Sequence, residues 1–539
     1  MKKLIFISAL FLLIISNLSG QTYSHHNEHN FDPIIRELYK SGLNVHTSIR
    51  PYRLDQIDNY FSSDSIIQRN LYFPEKKLNI FGRFIFDDLF RWGNKEKCNS
   101  KVEVRVNPLM NFQIGKEFDS NKKTWINTRG AMIEGELGSS LSFYVDIYEN
   151  QAAFAGYMQN EILKRNVIPG QGRVKRIKQE TQDYSHSSGY LSYNAGDWIN
   201  LQAGIGKHFI GDGHRSLLLS DNTSNYPYGK LTASFLKVKY MVMFSQLLHM
   251  PENYKHNDDR LEYKYGAFHY LSWNITKWMT IGAFESVIYA AQDETGHRGV
   301  DMMYIMPLAV FRPSEHAAGS PDNIIMGATL KITPWKNSAL YGQLVINEFK
   351  QDEVFGRTKW WGNKQGFQVG FKNYNIFGIN NLDFQTEYNH VRPYTYSHYQ
   401  PITNYGHLNQ ELAHPLGANF KENNTHITYR FKRWYFNLQS TYAIHGRDLE
   451  KDISYGGNIY MPNESPYRPY EYGHVIGQGL KTDILYFKGG ISFLINPKNN
   501  MNLAVELHQR EEKNERVNKK ETFFNVTLRT SLANFYWDY

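Results

Sequence analysis

The chain has one cysteine, Cys98, among 539 residues, so no internal disulfide can form and nothing in the fold depends on oxidation. Beyond the first twenty residues it also lacks a long hydrophobic run. The longest, Met302 to Phe311, is interrupted by Pro307 and falls well short of the roughly 18–20 apolar residues a membrane-crossing helix needs. No linker, low-complexity tract or shift in composition divides the sequence, although length alone would point to about three domains. Charge of one sign is lacking as well. Sixty basic residues against 52 acidic ones leave a formal net charge of +8, too mild to single out a partner. If the chain is a membrane protein, it must cross with strands.

The first residues set the compartment. Lys2 and Lys3 precede an apolar stretch from Leu4 to Ile15, and Ser19-Gly20 offers a small-residue exit. This order predicts a secretory signal peptide over 1–20, cut near Gly20/Gln21. No cysteine near the cut predicts no lipid anchor there, and export excludes nucleic acid as a partner. Tyr, Phe and Trp number 38, 33 and 10, a load suited to the aromatic girdles of a membrane barrel. A mean hydropathy of −0.54 is too polar for a helical membrane protein. A barrel with an apolar outer band and a wet interior accounts for both.

Period-two alternation recurs from residue 101 onward. In Val102-Glu103-Val104-Arg105-Val106-Asn107 the valines share one face; Phe436 and Leu438 alternate with Asn437, Gln439 and Thr441; Val526 and Leu528 alternate with Asn525, Thr527 and Arg529. Segments of about ten residues arranged in hairpins are what a membrane barrel requires. Eighteen such strands are predicted, near 101–116, 123–137, 141–150, 186–195, 198–209, 228–236, 238–249, 261–274, 277–291, 323–334, 337–349, 364–373, 379–391, 424–432, 433–445, 482–496, 500–511 and 520–532. Short turns alternate with mostly longer connections at 151–185, 209–227, 250–260, 292–322, 350–363, 392–423 and 446–481, the pattern of periplasmic turns and extracellular loops. The expected fold is therefore all-β: an 18-stranded antiparallel transmembrane β-barrel over 101–539, with both termini periplasmic. A small, partly helical periplasmic segment over 21–100 precedes it, with weak helical periodicity at Asp32–Leu43 and Arg53–Phe61 and too little length for a transporter plug. The ending Phe535-Tyr536-Trp537-Asp538-Tyr539 reads as the aromatic close of the last strand, recognised on insertion or anchored at the interface.

The segment Gly211-Asp212-Gly213-His214-Arg215-Ser216-Leu217-Leu218-Leu219-Ser220-Asp221-Asn222, followed by Tyr226-Pro227, resembles the Gly-rich, Ser-Leu-x-Leu-Ser-x-Asn segment of the Wzi family of capsule-assembly outer-membrane proteins. Asp322-Asn323 through Gly327, and Ala339-Leu340-Tyr341-Gly342-Gln343, fit as well. Ile168-Pro169-Gly170-Gln171-Gly172-Arg173 and Phe523-Phe524-Asn525 resemble gliding-motility RemB-like members of the Bacteroidota more closely still. The resemblance spans about residues 100–539. It implies an eighteen-stranded barrel with a periplasmic helical bundle, and a role in organising exopolysaccharide or supporting surface gliding. Here Gly-Asp-Gly-His-Arg stands where the capsule proteins have a Trp- and Pro-containing version.

Candidate sites follow from residue chemistry. Asp212, His214 and Ser216 contain the residue types of a hydrolase triad, but alternate positions in one extended segment do not converge as nucleophile, base and orienter must; they are expected to shape a Gly-rich loop in the barrel mouth. Lys164, Arg165, Arg173, Lys175, Arg176 and Lys178 form a basic cluster on loop 151–185, where Gln159–Arg165 reads as a short helix stopped by Pro169-Gly170. Facing outward, it would attract acidic exopolysaccharide or the phosphates of lipopolysaccharide; the alternative is a solvated loop paired with Glu161, Glu180 and Asp183. Tyr394, Tyr396, Tyr399, Tyr467 and Tyr470 lie on loops also rich in His, Asn and Pro. They read either as sugar-stacking rings or, preferred slightly, as loops packing together to close the pore. His426, His445 and His508 lie on separate strands without metal spacing, so neither metal nor cofactor is expected. The reading is a non-enzymatic surface protein whose partners are outer-membrane lipid and lipopolysaccharide, acidic exopolysaccharide, and gliding or surface lipoprotein components. The alternatives are an outer-membrane porin and, further off, a barrel enzyme acting on lipid or glycan.

Overall fold

The computed structural model describes residues 28–58, 78–93, 102–138, 140–178, 180–251, 261–293, 296–306, 322–532 and 535–539. The expected signal peptide and Cys98 lie outside these. Eighteen antiparallel strands close into one barrel. They are β1 (Val102–Glu117), β2 (Lys123–Leu137), β3 (Leu141–Ala153), β4 (Thr181–Ala195), β5 (Ile199–Gly206) and β6 (Tyr226–Phe235); β7 (Val238–His249), β8 (Glu262–Asn274), β9 (Met279–Ala290), β10 (Asn323–Ile332), β11 (Ser338–Glu348) and β12 (Lys364–Tyr374); and β13 (Leu382–Val391), β14 (Phe420–Phe431), β15 (Trp434–Arg447), β16 (Leu480–Asn496), β17 (Met501–Lys513) and β18 (Asn518–Arg529). Each pairs with its sequence neighbours, and β18 returns to β1 with Arg529 opposite Asn111. Every expected strand is present.

The alternation sets which face is wet. On β17, Leu503, Val505 and Leu507 are exposed on the outer surface, whereas Glu506, His508 and Arg510 are buried inward. On β15, Phe436 and Leu438 face out, with Thr441 buried inward. Apolar side chains outside and polar ones inside invert a soluble barrel and match a wall solvated by lipid. Trp198, Trp273, Trp278, Trp335 and Trp434 are all exposed and all sit at the short-turn ends of their strands, where indole rings suit a membrane interface.

The lumen is packed. The N-terminal segment carries α1 (Glu28–Ser41) and α2 (Leu54–Asp58), near the two stretches of helical periodicity. Its residues 28–58 pack against the inner face of the barrel. Ile34, Ile35, Leu38 and Tyr39 of α1 pack with Ala339 and Tyr374 of the wall, and Gly42, at φ 71°, ends the helix. Ile49 and Arg50 then pair with Ile210 and Phe209, Lys331 donates to the Val45 carbonyl at 2.8 Å, and Tyr270 donates to Ser48 at 2.9 Å.

The C-terminus corrects an expectation. The last strand stops at Arg529, so the aromatic ending is not its closing residue. Leu532 packs with Leu109, Met132 and Tyr148, and Tyr536 and Asp538 are buried inside the barrel. The rings that alternation assigns to a membrane girdle fill the lumen instead. The segment before the barrel also carries α3 (Ile80–Phe86), and loop 151–185 carries α4 (Gly156–Arg165). α4 ends at Asn166, at φ 57°, rather than at Pro169-Gly170; an asparagine tolerates this left-handed cap.

Candidate functional site

The motif segment lies in the middle of the lumen and organises everything around it. Gly211 takes φ 137°, and a Cβ there would collide with the Gln343 side chain, so only glycine permits the approach. Asp212 accepts from the Thr47 hydroxyl, and the Gly213 carbonyl accepts from Arg50 at 2.7 Å. The backbone N–H groups of His214 and Arg215 donate to the two oxygens of Glu387, each at 2.9 Å. Ser216 donates to the Ile210 carbonyl at 2.6 Å, which commits its hydroxyl to the backbone. The Asp212, His214 and Ser216 side chains do not converge. The His214 ring instead faces His426 at 4.2 Å between centroids.

Arg215 is the electrostatic centre. It donates to Asp538 at 2.7 Å and to Glu422 at 3.3 Å and lies over the Tyr536 ring at 5.2 Å. The other oxygen of Asp538 accepts from Gln439, Thr441 and Asn424 at 2.6, 2.9 and 3.1 Å. Burial opposes charge on both partners, yet the attraction between them wins. The guanidinium is held above its ordinary range and the Asp538 carboxyl below its own. Both ions are buried, a costly arrangement that the pairing offsets through one end of the guanidinium, since Nε and Nη1 of Arg215 are buried without a hydrogen bond.

Above this network the leucines join the loops. Leu217, Leu218 and Leu219 are fully buried. The Leu217 and Leu218 carbonyls accept from the hydroxyls of Tyr396 and Tyr405, both at 2.7 Å, and those two rings stack 5.7 Å apart. The Ser220 N–H donates to the Leu412 carbonyl at 2.7 Å, and Tyr536 donates to Asp221 at 2.7 Å. Asn222 is buried in the same layer. His407 receives the Leu248 N–H on Nδ1 at 3.0 Å and faces the Asn225 carbonyl with Nε2 at 3.2 Å. Burial lowers its pKa to about 3, so it is neutral and carries its proton on Nε2.

The two candidate ligand clusters divide. Tyr394 and Tyr396 are buried; the Tyr394 hydroxyl donates to the Ser454 carbonyl at 2.7 Å. They are buried among the loops and not exposed to a glycan. Tyr399, Tyr467 and Tyr470 remain exposed, with Tyr472 beside them. Tyr470 stacks on His474 at 4.5 Å, and Arg468 caps the Trp361 ring at 4.1 Å. The Trp361 indole donates to Glu471 at 2.9 Å. Two outer loops are joined there by backbone bonds from Trp361 to Glu471 and from His474 to Lys359. Of the basic cluster, Lys164, Arg173 and Lys175 are exposed. Arg165 is not available: it bonds both oxygens of Glu411, at 2.9 and 2.7 Å, and Glu161 at 3.3 Å, pinning loop 151–185 to the inner loop. The side chains of Arg176 and Lys178 lie outside the described residues.

Sequence reasoning missed Glu387, Glu422 and Asp538, the carboxylates that hold the motif. Glu387 and Glu422 sit on the wet phase of their strands, where a pore-lining role looks identical, and Asp538 sits among the aromatic residues of the tail. A cavity of about 250 Å³ remains between the C-terminal tail and the wall of β1 and β14–β18, lined by Asn111, His426, Gln439, Lys488, Asn525 and Trp537 among others. Among the described residues no three His, Cys, Asp or Glu side chains converge as metal ligands would.

No family model matches the chain, and no curated protein matches it by sequence. Among solved structures it is similar to Wzi of Escherichia coli, described as an outer-membrane protein involved in group 1 capsule assembly and a carbohydrate-binding β-barrel. The TM-score is 0.55 at 12% identity, covering 95% of this chain and 100% of that one. OpdK of Pseudomonas aeruginosa, solved with vanillate, gives a TM-score of 0.43 at 7% identity over 79% of this chain and 98% of that one. OprD of the same organism gives 0.41 at 9% identity over 79% and 94%. This chain thus has the fold of an eighteen-stranded outer-membrane barrel, similar over nearly its whole length to that of Wzi.

Proposed function

We propose that the protein is a non-enzymatic outer-membrane barrel that holds extracellular polysaccharide on its loop-built outer face. One observation carries the reading: the segments that could have lined a pore are folded together inside it, while the outermost loops keep exposed aromatic rings on a rigid, cross-bonded base. Tyr467, Tyr470 and Tyr472 offer flat faces to sugar rings, and Lys164, Arg173 and Lys175 offer charge to uronic acids or phosphates. The carbohydrate binding stated for Wzi supports the same class of ligand. The lumen acts as a scaffold, since the N-terminal segment, the motif segment, the inner loops and the C-terminal tail occupy the aqueous space that an eighteen-stranded wall would otherwise leave. Planar-bilayer recording tests this against the porin alternative. The sealed barrel conducts poorly; large, steady conductance at neutral pH would promote the channel reading instead.

A further inference from the structure

The first and last strands do not cover each other. β18 pairs with β1 only from Asn111 to Glu117, and Thr530 adds a bond to Met110 at 3.0 Å. Below that point β1 continues to Val102 with its outer edge uncovered by β18. Unpaired backbone edges are not tolerated against lipid, because each lost hydrogen bond there costs several kcal/mol. The chain closes this gap with its own N-terminal segment. Phe90, Arg91 and Trp92 pair antiparallel with Val106, Arg105 and Val104. Just above, the Leu89 N–H donates to the Asn107 side chain at 3.0 Å, and Asn107 donates to Asp88 at 2.7 Å.

This short strand has the polarity of the barrel wall. Arg91 turns inward to Glu103 at 2.8 Å. Phe90 and Trp92 share register with the outward valines and are 51% and 60% exposed. Trp92 lies near the start of β1, at the end of the barrel that carries Trp198, Trp273, Trp278, Trp335 and Trp434. Immediately before it, α3 is held under the wall by Asn496, which donates to the carbonyls of Phe84 and Asp87 at 3.0 and 2.9 Å. α3 leaves Ile80 76% and Phe81 68% exposed, with exposed Arg83 on the same helix.

We propose that Ile80–Trp92 is a membrane foot: a half-strand that completes the barrel seam, preceded by a helix seated in the phospholipid of the periplasmic leaflet. The occupant is lipid because Phe90 and Trp92 share register with the outward valines of the wall, α3 is bonded to that wall at Asn496, and the helix exposes apolar Ile80 and Phe81 together with cationic Arg83, a combination that suits the boundary between acyl chains and headgroup phosphate. Part of the segment expected as periplasmic is therefore membrane-embedded.

The test uses the full chain with Cys98→Ser and one introduced thiol, Phe81→Cys, carrying an environment-sensitive fluorophore. The protein is reconstituted in vesicles of phosphatidylethanolamine and phosphatidylglycerol. Val145→Cys on the outer wall and Leu43→Cys after α1 serve as lipid and aqueous references. The expected result is quenching of the Phe81 label by shallow nitroxide lipids to within about twofold of Val145, with iodide quenching at least about fivefold below Leu43. Iodide quenching equal to that of Leu43 would overturn the proposal, since the helix would then hang in water. Protection from both quenchers would overturn it too, by showing protein over the helix. Efficient oxidative dimerisation of unlabelled Phe81→Cys would identify that protein as a second copy.

Discussion

Removing the Asp538 carboxylate tests whether the C-terminal tail locks the motif segment. In Asp538→Ala, Arg215 loses its 2.7 Å partner and keeps only Glu422 at 3.3 Å, while Gln439, Thr441 and Asn424 lose an acceptor. Breaking a buried ion pair from one side costs about 3–5 kcal/mol. The surviving Glu422 puts this case near the lower end, about 3 kcal/mol. At about 1.4 kcal/mol per decade, local opening of the tail and motif becomes roughly 100-fold more frequent. Hydrogen exchange reads this directly on peptides covering 211–222, where the amides of His214, Arg215, Leu217 and Ser220 are bonded to Glu387, Gln343 and Leu412. Protection there should fall by about two decades, with wall peptides from β7 and β8 unchanged. Asp538→Asn, which keeps acceptor geometry without charge, should fall between. Exchange within about threefold of the parent in both variants would refute the locking role of Arg215 and Asp538.

Three further outcomes follow. Burial raises the Asp448 carboxyl to about 6, above its unfolded value, so the stability it contributes is fully present below the ordinary carboxylate range and is lost as pH rises through about 6; the protection factors of amides in 448–455, corrected for the intrinsic pH dependence of exchange, should be higher at pH 5 than at pH 7.5, and Asp448→Asn should abolish that difference. Arg165→Ala leaves Glu411 buried without its guanidinium and should loosen loop 151–185 by roughly 3 kcal/mol, the low end for a pair whose arginine is partly exposed, seen as faster proteolysis within it at unchanged barrel heat-modifiability. Tyr396→Ala should raise conductance by opening the layer over Leu217, whereas Tyr467→Ala should leave conductance alone.

The wall was legible because lipid outside and water inside impose a strict period of two, and β15 and β17 display it residue by residue. The contents of the lumen were not. Phe535–Tyr539 continues the aromatic pattern of the last strand, so an outward girdle and an inward plug look the same until Arg215, far away in sequence, is seen to need Asp538. Tyr394 and Tyr470 are chemically equivalent on the page. Only the fold separates them, holding Tyr394 and Tyr396 at φ 65° and 73°, a backbone state that costs on the order of 1–3 kcal/mol and persists because buried hydroxyl bonds to Ser454 and Leu217 offset it. The basic cluster divides for a similar reason: contiguity in sequence puts Arg165 beside Lys164, but α4 turns one inward to Glu411 and leaves the other in solvent.

The central claim, that the outer face holds polysaccharide, is tested most directly by equilibrium binding of the reconstituted barrel to purified surface polysaccharide of the same cells, at low and high salt. The parent is compared with a variant carrying Tyr467→Ala, Tyr470→Ala and Tyr472→Ala. The account predicts binding by the parent that survives high salt in part and falls at least about tenfold in the variant. No binding by the parent, or equal binding by the variant at both salts, would contradict it.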